Sequence, residues 1–171
     1  MSDALKLSAL VRSALIVSDI QRSSAFYGEV LGLTDVYWEG TLEGSSLERL
    51  LSVTPGSICR ARILKATPEA MGMVGLFELS SPTVPAISKT RTPAQVGEAF
   101  LVFYASDLDV VMERLTAGGY DVLCAPVPLE HEGRVKQREM ACADPDGFKI
   151  NLIEWDPDAA ERPELTPGKL A

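Results

Sequence analysis

The apolar positions of this chain make the same statement twice. Ala14–Val17 is a short apolar run that predicts a strand, and Ser18 or Asp19 follows as a helix cap. Phe26/Val30 and Tyr27/Leu31 are four-apart pairs on one helical side, and Gly32 supplies the left-handed stop. Farther along, Leu101–Ala105 is the strand and Asp107 the cap. Leu108, Val111, Met112 and Leu115 then fall at the i, i+3, i+4, i+7 spacing of one helix face, which Gly118-Gly119 ends. "TDVYW" continues the first copy and "YDVLC" the second. Each copy next offers a longer strand, "SICRARILK" or "RVKQREMAC", then a turn and a closing strand, "GMVGLFELSS" or "FKINLIEWD". In the closing pair Glu78 overlays Glu154. The order β-α-β-β-β therefore occurs twice.

Three stretches stand outside the repeat. "SSLERLLSVTPG" predicts an inserted helix with a Ser45–Glu48 capping box and Leu47, Leu50 and Leu51 on one face, serving either as a lid or as a plug at the sheet edge. "PTVPAISKTRTPAQVG" is Pro-broken and aperiodic, which marks a connection. "PDAAERPELTPGKLA" is polar and reads as a tail. The predicted organisation is a first module over 9–81 with the inserted helix at 45–53, a connection over 82–97, a second module over 98–156 and a tail over 157–171.

Composition removes several function classes. A net charge of −8 argues against a nucleic-acid backbone as partner, since that affinity comes from clustered Lys and Arg. No apolar run approaches the roughly 20 residues that span a bilayer, and the start "MSDALKLSAL" lacks the shape of a signal peptide. The expected location is the cytoplasm. Cys59, Cys124 and Cys142 are widely spaced with no CxxC pair, and read as reduced core thiols. The only histidine, His131, falls between two strands among acids and reads as a solvated surface residue. Asp144 and Asp146 of "DPDG" read as turn formers.

With these motifs in place, "VSDIQRSSAFYGEVLGL" resembles the opening of the vicinal oxygen chelate superfamily, the group of glyoxalase I, extradiol dioxygenases and bleomycin-resistance proteins. "ADPDGFKINLIE" resembles the last hairpin of that superfamily. The resemblance covers roughly Ala9 to Asp156. It implies an α+β fold in which two βαβββ modules form a curled mixed sheet around a cavity, with two chains often paired as a homodimer. It also implies a divalent metal acting as Lewis acid, held by His, Glu or Gln on strands of both modules. Carried over one at a time, the ligand positions fall on Arg12, Gly75, Phe100 and Asn151. Arg12 is permanently cationic, Gly75 and Phe100 have no donor, and Asn151 alone is a weak neutral ligand. Glu78 and Glu154 are the nearest acids, but they sit out of phase with the cavity-facing series.

Steps of two from those positions give the expected lining. The first module supplies Arg12, Ala14, Ile16, Met73, Gly75 and Phe77. The second supplies Phe100, Val102, Tyr104, Asn151, Ile153 and Trp155. Such a lining suits a flat or greasy small molecule oriented by a few hydrogen bonds. Arg12 would favour a carboxylate, phosphate or phenolate on it. A cation at that position also requires Asn151, an acid such as Glu78, solvent at the strand end, or a ligand. The function expected from the sequence is therefore a metal-independent member of the superfamily, without a cofactor, that sequesters a small aromatic or amphipathic and potentially anionic ligand. The alternative is a lyase or isomerase of glyoxalase or dioxygenase type working through Arg12, Asn151 or Tyr104, with Arg12 stabilising an enolate oxygen.

Overall fold

The computed structural model describes residues 7–81, 84–87, 94–131 and 135–155. The first module contains β1 (Arg12–Ile16), α1 (Ile20–Ala25), β2 (Asp35–Leu42), α2 (Ser45–Leu51), β3 (Ile58–Lys65) and β4 (Met73–Ser81). The second contains β5 (Phe100–Ala105), α3 (Leu108–Gly118), β6 (Val122–His131), β7 (Val135–Ala143) and β8 (Lys149–Trp155). Each module forms its own four-stranded mixed sheet, in the orders β1-β4-β3-β2 and β5-β8-β7-β6, and the two sheets do not close on each other. In each, the first strand runs parallel to the last and the remaining neighbours are antiparallel. The tail over 157–171 and part of the connection over 82–97 lie outside the described residues. No helix among the described residues is long and apolar enough to cross a membrane.

The repeated strand–Asp–helix phrase has a repeated physical cause. The Asp19 carboxylate accepts from the N–H groups of Gln21 and Arg22, and Asp107 accepts from those of Asp109 and Val110. The next orphan amide in each helix is taken by the overlaid glutamate of the closing strand. Ile20 N–H donates to Glu78 at 2.8 Å, and Leu108 N–H donates to Glu154 at 2.9 Å. Arg60 and Arg138 neutralise these glutamates from the neighbouring strands. Glu78 and Glu154 are thus bound to the helix-covered faces of their sheets, which explains why they are out of phase with the opposite face.

The first helix departs from the sequence expectation. After α1 the chain widens into a π-helical turn, Phe26–Val30, so four-apart pairing does not describe it. Phe26, Tyr27 and Val30 are buried there, while Leu31 is half-buried. Gly32 ends the turn with φ of 78°. One apolar core joins the modules, with Phe26, Tyr27, Leu76, Leu108, Leu115, Met140 and Ile150 all buried in it. Phe26 meets Tyr120 of the second module edge-on at 4.9 Å between ring centroids.

Polar contacts reinforce that junction. Asp144 is buried and holds the DPDG turn, accepting from the N–H groups of Asp146 at 2.9 Å and Phe148 at 2.8 Å. It also accepts from the Tyr27 hydroxyl at 3.0 Å. Asp146 accepts from both the N–H and the hydroxyl of Ser18. These aspartates form the turn as expected and also bind it to the first module.

Four further expectations need correction. Gly44, with φ of 97°, is the N-cap of α2, so Ser45 begins the helix and makes no capping box. Glu48 instead accepts from Gly56 N–H. Leu50 is 81% exposed and faces away from Leu47, which is buried. Cys59 and Cys142 are buried thiols, but Cys124 is exposed. His131 ends β6 and pairs with Val135, so its backbone is in a strand and not between strands.

Candidate functional site

Strand register determines which side chains share the face turned away from the helices. In the first sheet Arg12, Ala14 and Ile16 pair with Met73, Gly75 and Phe77, which in turn align with Ile63 and Ala61 of β3. In the second sheet Phe100, Val102 and Tyr104 pair with Lys149, Asn151 and Ile153. The twelve expected lining residues therefore sort onto equivalent faces of two separate sheets: Arg12, Ala14, Ile16, Met73, Gly75 and Phe77 on one, and the rest on the other. Trp155 is the last residue of β8, and its side chain lies outside the described residues.

The two faces differ in cover. Over the first sheet, α2 packs Leu47 and Leu51 against Cys59, Ala61, Phe77 and Leu79, and this second apolar cluster covers the β3 and β4 part of the face, while Ala14 and Ile16 of β1 stay exposed. The Phe77 ring fills the space beside Gly75: a Cβ at Gly75 would lie 2.8 Å from the ring and 3.5 Å from Arg12 Cδ. Arg12 itself is exposed, so solvent meets its charge and only its aliphatic stem crosses the face. Among the described residues no helix lies on the equivalent face of the second sheet, and Phe100, Val102 and Tyr104 are 45%, 56% and 44% exposed. An open cleft of about 900 Å³ follows β5 at the edge of that sheet, lined by both faces of the strand, by Met71 and Met73 of the first module and by Leu33, Val111 and Arg114 on the helix side; Glu139, Asn151 and Ile153 lie outside it. That volume is in the range of small-molecule sites.

The bare face carries a polar array that the sequence reading missed. Glu139 of β7 lies between Val127 of β6 and Ile153 of β8. One of its oxygens accepts from Asn151 Nδ2 at 2.8 Å, and the other accepts from Gln137 Nε2. An ionised carboxylate only accepts, so both amides must turn their NH₂ groups toward it. The signal was available. Counting back from Asn151 through the Asp144–Gly147 turn reaches Ala141, Glu139 and Gln137 on the same face. At the rim, Lys149 is held by Glu98 at 2.7 Å and lies over the Phe100 ring at 5.6 Å from its centroid. That ammonium holds the Glu98 carboxyl below the usual range, with Gln95 N–H adding to the effect. Burial pushes the Cys142 thiol up to about 12, so it is no nucleophile near neutral pH.

An eight-stranded arrangement of two βαβββ modules, each a four-stranded mixed sheet with its first strand parallel to its last, is the architecture of proteins of the glyoxalase type. The chain belongs to the Glyoxalase/Bleomycin resistance protein/Dioxygenase superfamily, whose family profile matches residues 9–152. A glyoxalase family protein from Bacillus cereus superposes with a TM-score of 0.68 at 19% identity, over 90% of this chain and 96% of its own. The trypanothione-dependent glyoxalase I of Leishmania major gives 0.57 at 15% identity, over 86% and 87% of the two chains. A glyoxylase/bleomycin resistance protein/dioxygenase domain from Frankia sp. gives 0.58 at 18%, over 90% and 96%. At these identities the likeness is one of fold. No curated protein matches the sequence.

The residues that the resemblance assigns to the metal positions do not fit a divalent cation. Arg12 brings a positive charge, Gly75 and Phe100 bring no donor, and Asn151 turns its NH₂ toward Glu139. Among the described residues, no three His, Cys, Asp or Glu side chains converge as metal ligands. Restoring a carboxylate is expected to fail sterically. Gly75→Glu meets the Phe77 ring and should lower the urea-unfolding free energy by about 1–3 kcal/mol, the cost of overpacking a filled site. The melting temperature of that variant should not respond to Ni²⁺ or Mn²⁺.

Proposed function

We propose that this chain binds a small aromatic or amphipathic molecule on the open face of its second module without the help of a metal, and that its role is sequestration. The observation that carries this reading is the pairing of exposed apolar side chains, Phe100 and Val102, and the half-buried Ile153 with oriented polar groups at Glu139 and Asn151. An apolar surface that orients its polar groups but keeps them accessible has the chemistry of a binding site, whereas a packed core would bury both. The anionic substituent expected from Arg12 is not carried forward, because that guanidinium is in solvent on the other sheet. Val127 and Leu129, 44% and 46% exposed at the far side of the same sheet, support the pairing of two copies.

A thermal-shift screen of aromatic acids, aromatic amines and antibiotics tests the reading, with product analysis of each hit and sedimentation to read the oligomeric state. Hits that raise the melting temperature and are recovered unchanged are expected, from a dimer whose melting is insensitive to Ni²⁺, Mn²⁺, Zn²⁺ and EDTA. Stoichiometric metal, or a drop in melting temperature with EDTA, overturns the metal-independent reading. Turnover of a hit replaces sequestration by catalysis.

A further inference from the structure

The polar array on the second face is biased in sign. Glu139 is the negative group, and both of its hydrogen-bond partners are neutral amides. Among the described residues, no Lys or Arg pairs with it. The nearest ammonium along β8 that faces the same way is that of Lys149, which is already committed to Glu98 at 2.7 Å. Across the strands, Glu139 lies in a row of Val127, Glu139, Ile153 and Tyr104, so apolar side chains flank it on either side. The adjacent row contains Ala141, Asn151 and Val102, where the small Ala141 side chain keeps the floor low beside the carboxylate.

Two amide donors fix the orientation of this carboxylate without supplying a counter-charge, so a cationic donor would strengthen its interactions. Each oxygen takes one amide and retains capacity for another donor. The amide carbonyls, turned away from Glu139, add acceptors beside it, and each NH₂ keeps one further N–H. An organic ammonium with an apolar body complements this arrangement: its N–H groups reach Glu139 while its body lies on Val102, Ile153 and Phe100. The chain's net charge of −8 favours the approach of the same sign of ligand.

We infer that Glu139, oriented by Gln137 and Asn151, is the counter-ion for an aryl- or alkylammonium ligand on the open face of the second module. This rests on the binding reading above and adds the charge class of the ligand. The test compares three probes of similar shape by calorimetric titration of the whole chain: phenethylammonium, phenethyl alcohol and hydrocinnamate. Phenethylammonium is expected to bind about 10-fold more tightly than the alcohol, as a charge-assisted hydrogen bond allows, and hydrocinnamate more weakly than either. Glu139→Gln keeps the shape and an acceptor oxygen, and should bring the ammonium-to-alcohol ratio to about one. Equal affinity of the wild-type chain for ammonium and alcohol, or a preference for hydrocinnamate, overturns the inference even if the variant does not fold. Alcohol binding without charge preference overturns this inference alone. If none of the three binds, the binding face proposed above falls with it.

Discussion

Replacing Asp144 by Ala should cost about 3 kcal/mol and lower Tm by about 10 °C, while Asp144→Asn should cost less than about 1 kcal/mol. Alanine leaves three donors without their acceptor: the buried Tyr27 hydroxyl and the N–H groups of Asp146 and Phe148. The two amides belong to a turn and recover part of the loss from water. The Tyr27 hydroxyl lies in the joint core and cannot. Asparagine keeps an oxygen for the two amides and offers its NH₂ to the tyrosine oxygen, which then accepts in place of donating.

The pH dependence separates the hydrogen-bond account from simple loss of volume. Burial is the largest influence on the Asp144 carboxyl and raises it above its ordinary value of 3.8, against the lowering effect of its hydrogen bonds. A group raised in the folded state favours folding when protonated. Its contribution is complete below pH 3.8 and is lost as pH rises through the higher folded value. Wild type therefore gains from Asp144 on acidification, and the Asn variant does not. The Asn variant should compare best with wild type near neutral pH and fall behind as pH drops toward 4. Equal costs for Ala and Asn at pH 7 would sink this account.

Phe77→Ala should cost about 3–4 kcal/mol in urea unfolding, and the effect should be local. The ring is 8% exposed, fills the space beside Gly75 and anchors the cluster of Leu47, Cys59, Ala61 and Leu79. This cluster is distinct from the core that joins α1, the π-helical turn and α3. Native-state hydrogen exchange should therefore accelerate most in α2, Ser45–Leu51, with a smaller change in α3. Unchanged protection of α2 would mean that other contacts hold it to the sheet.

The fold was legible where local chemistry and position coincide. Asp19 and Asp107 are caps because an aspartate between a strand and an amphipathic run has little else to do, and Glu78 and Glu154 could be matched because each closes an equivalent strand. Alternation also assigned the strand faces, since the parallel pairs β1/β4 and β5/β8 align the expected residues directly. What escaped depends on distant partners. The π-helical turn arises where Phe26 and Tyr27 must both reach a core shared with the second module. The predicted capping box gave way to a glycine cap, because Glu48 has an amide eight residues on to satisfy. Glu139 needed the phase of β7, which the hairpin through the DPDG turn sets. The cation expected to matter, Arg12, is a solvated side chain on an exposed edge strand of the first sheet.

Two copies of one module would ordinarily furnish two equivalent seats for a guest. The helix inserted between β2 and β3 covers part of the first with leucines of the chain itself, and among the described residues no helix covers the matching face of the second. On the proposed reading, the duplicated scaffold would take one guest per chain. A pair of chains would hold two guests, each seated on a C-terminal half, with the N-terminal halves serving as framework.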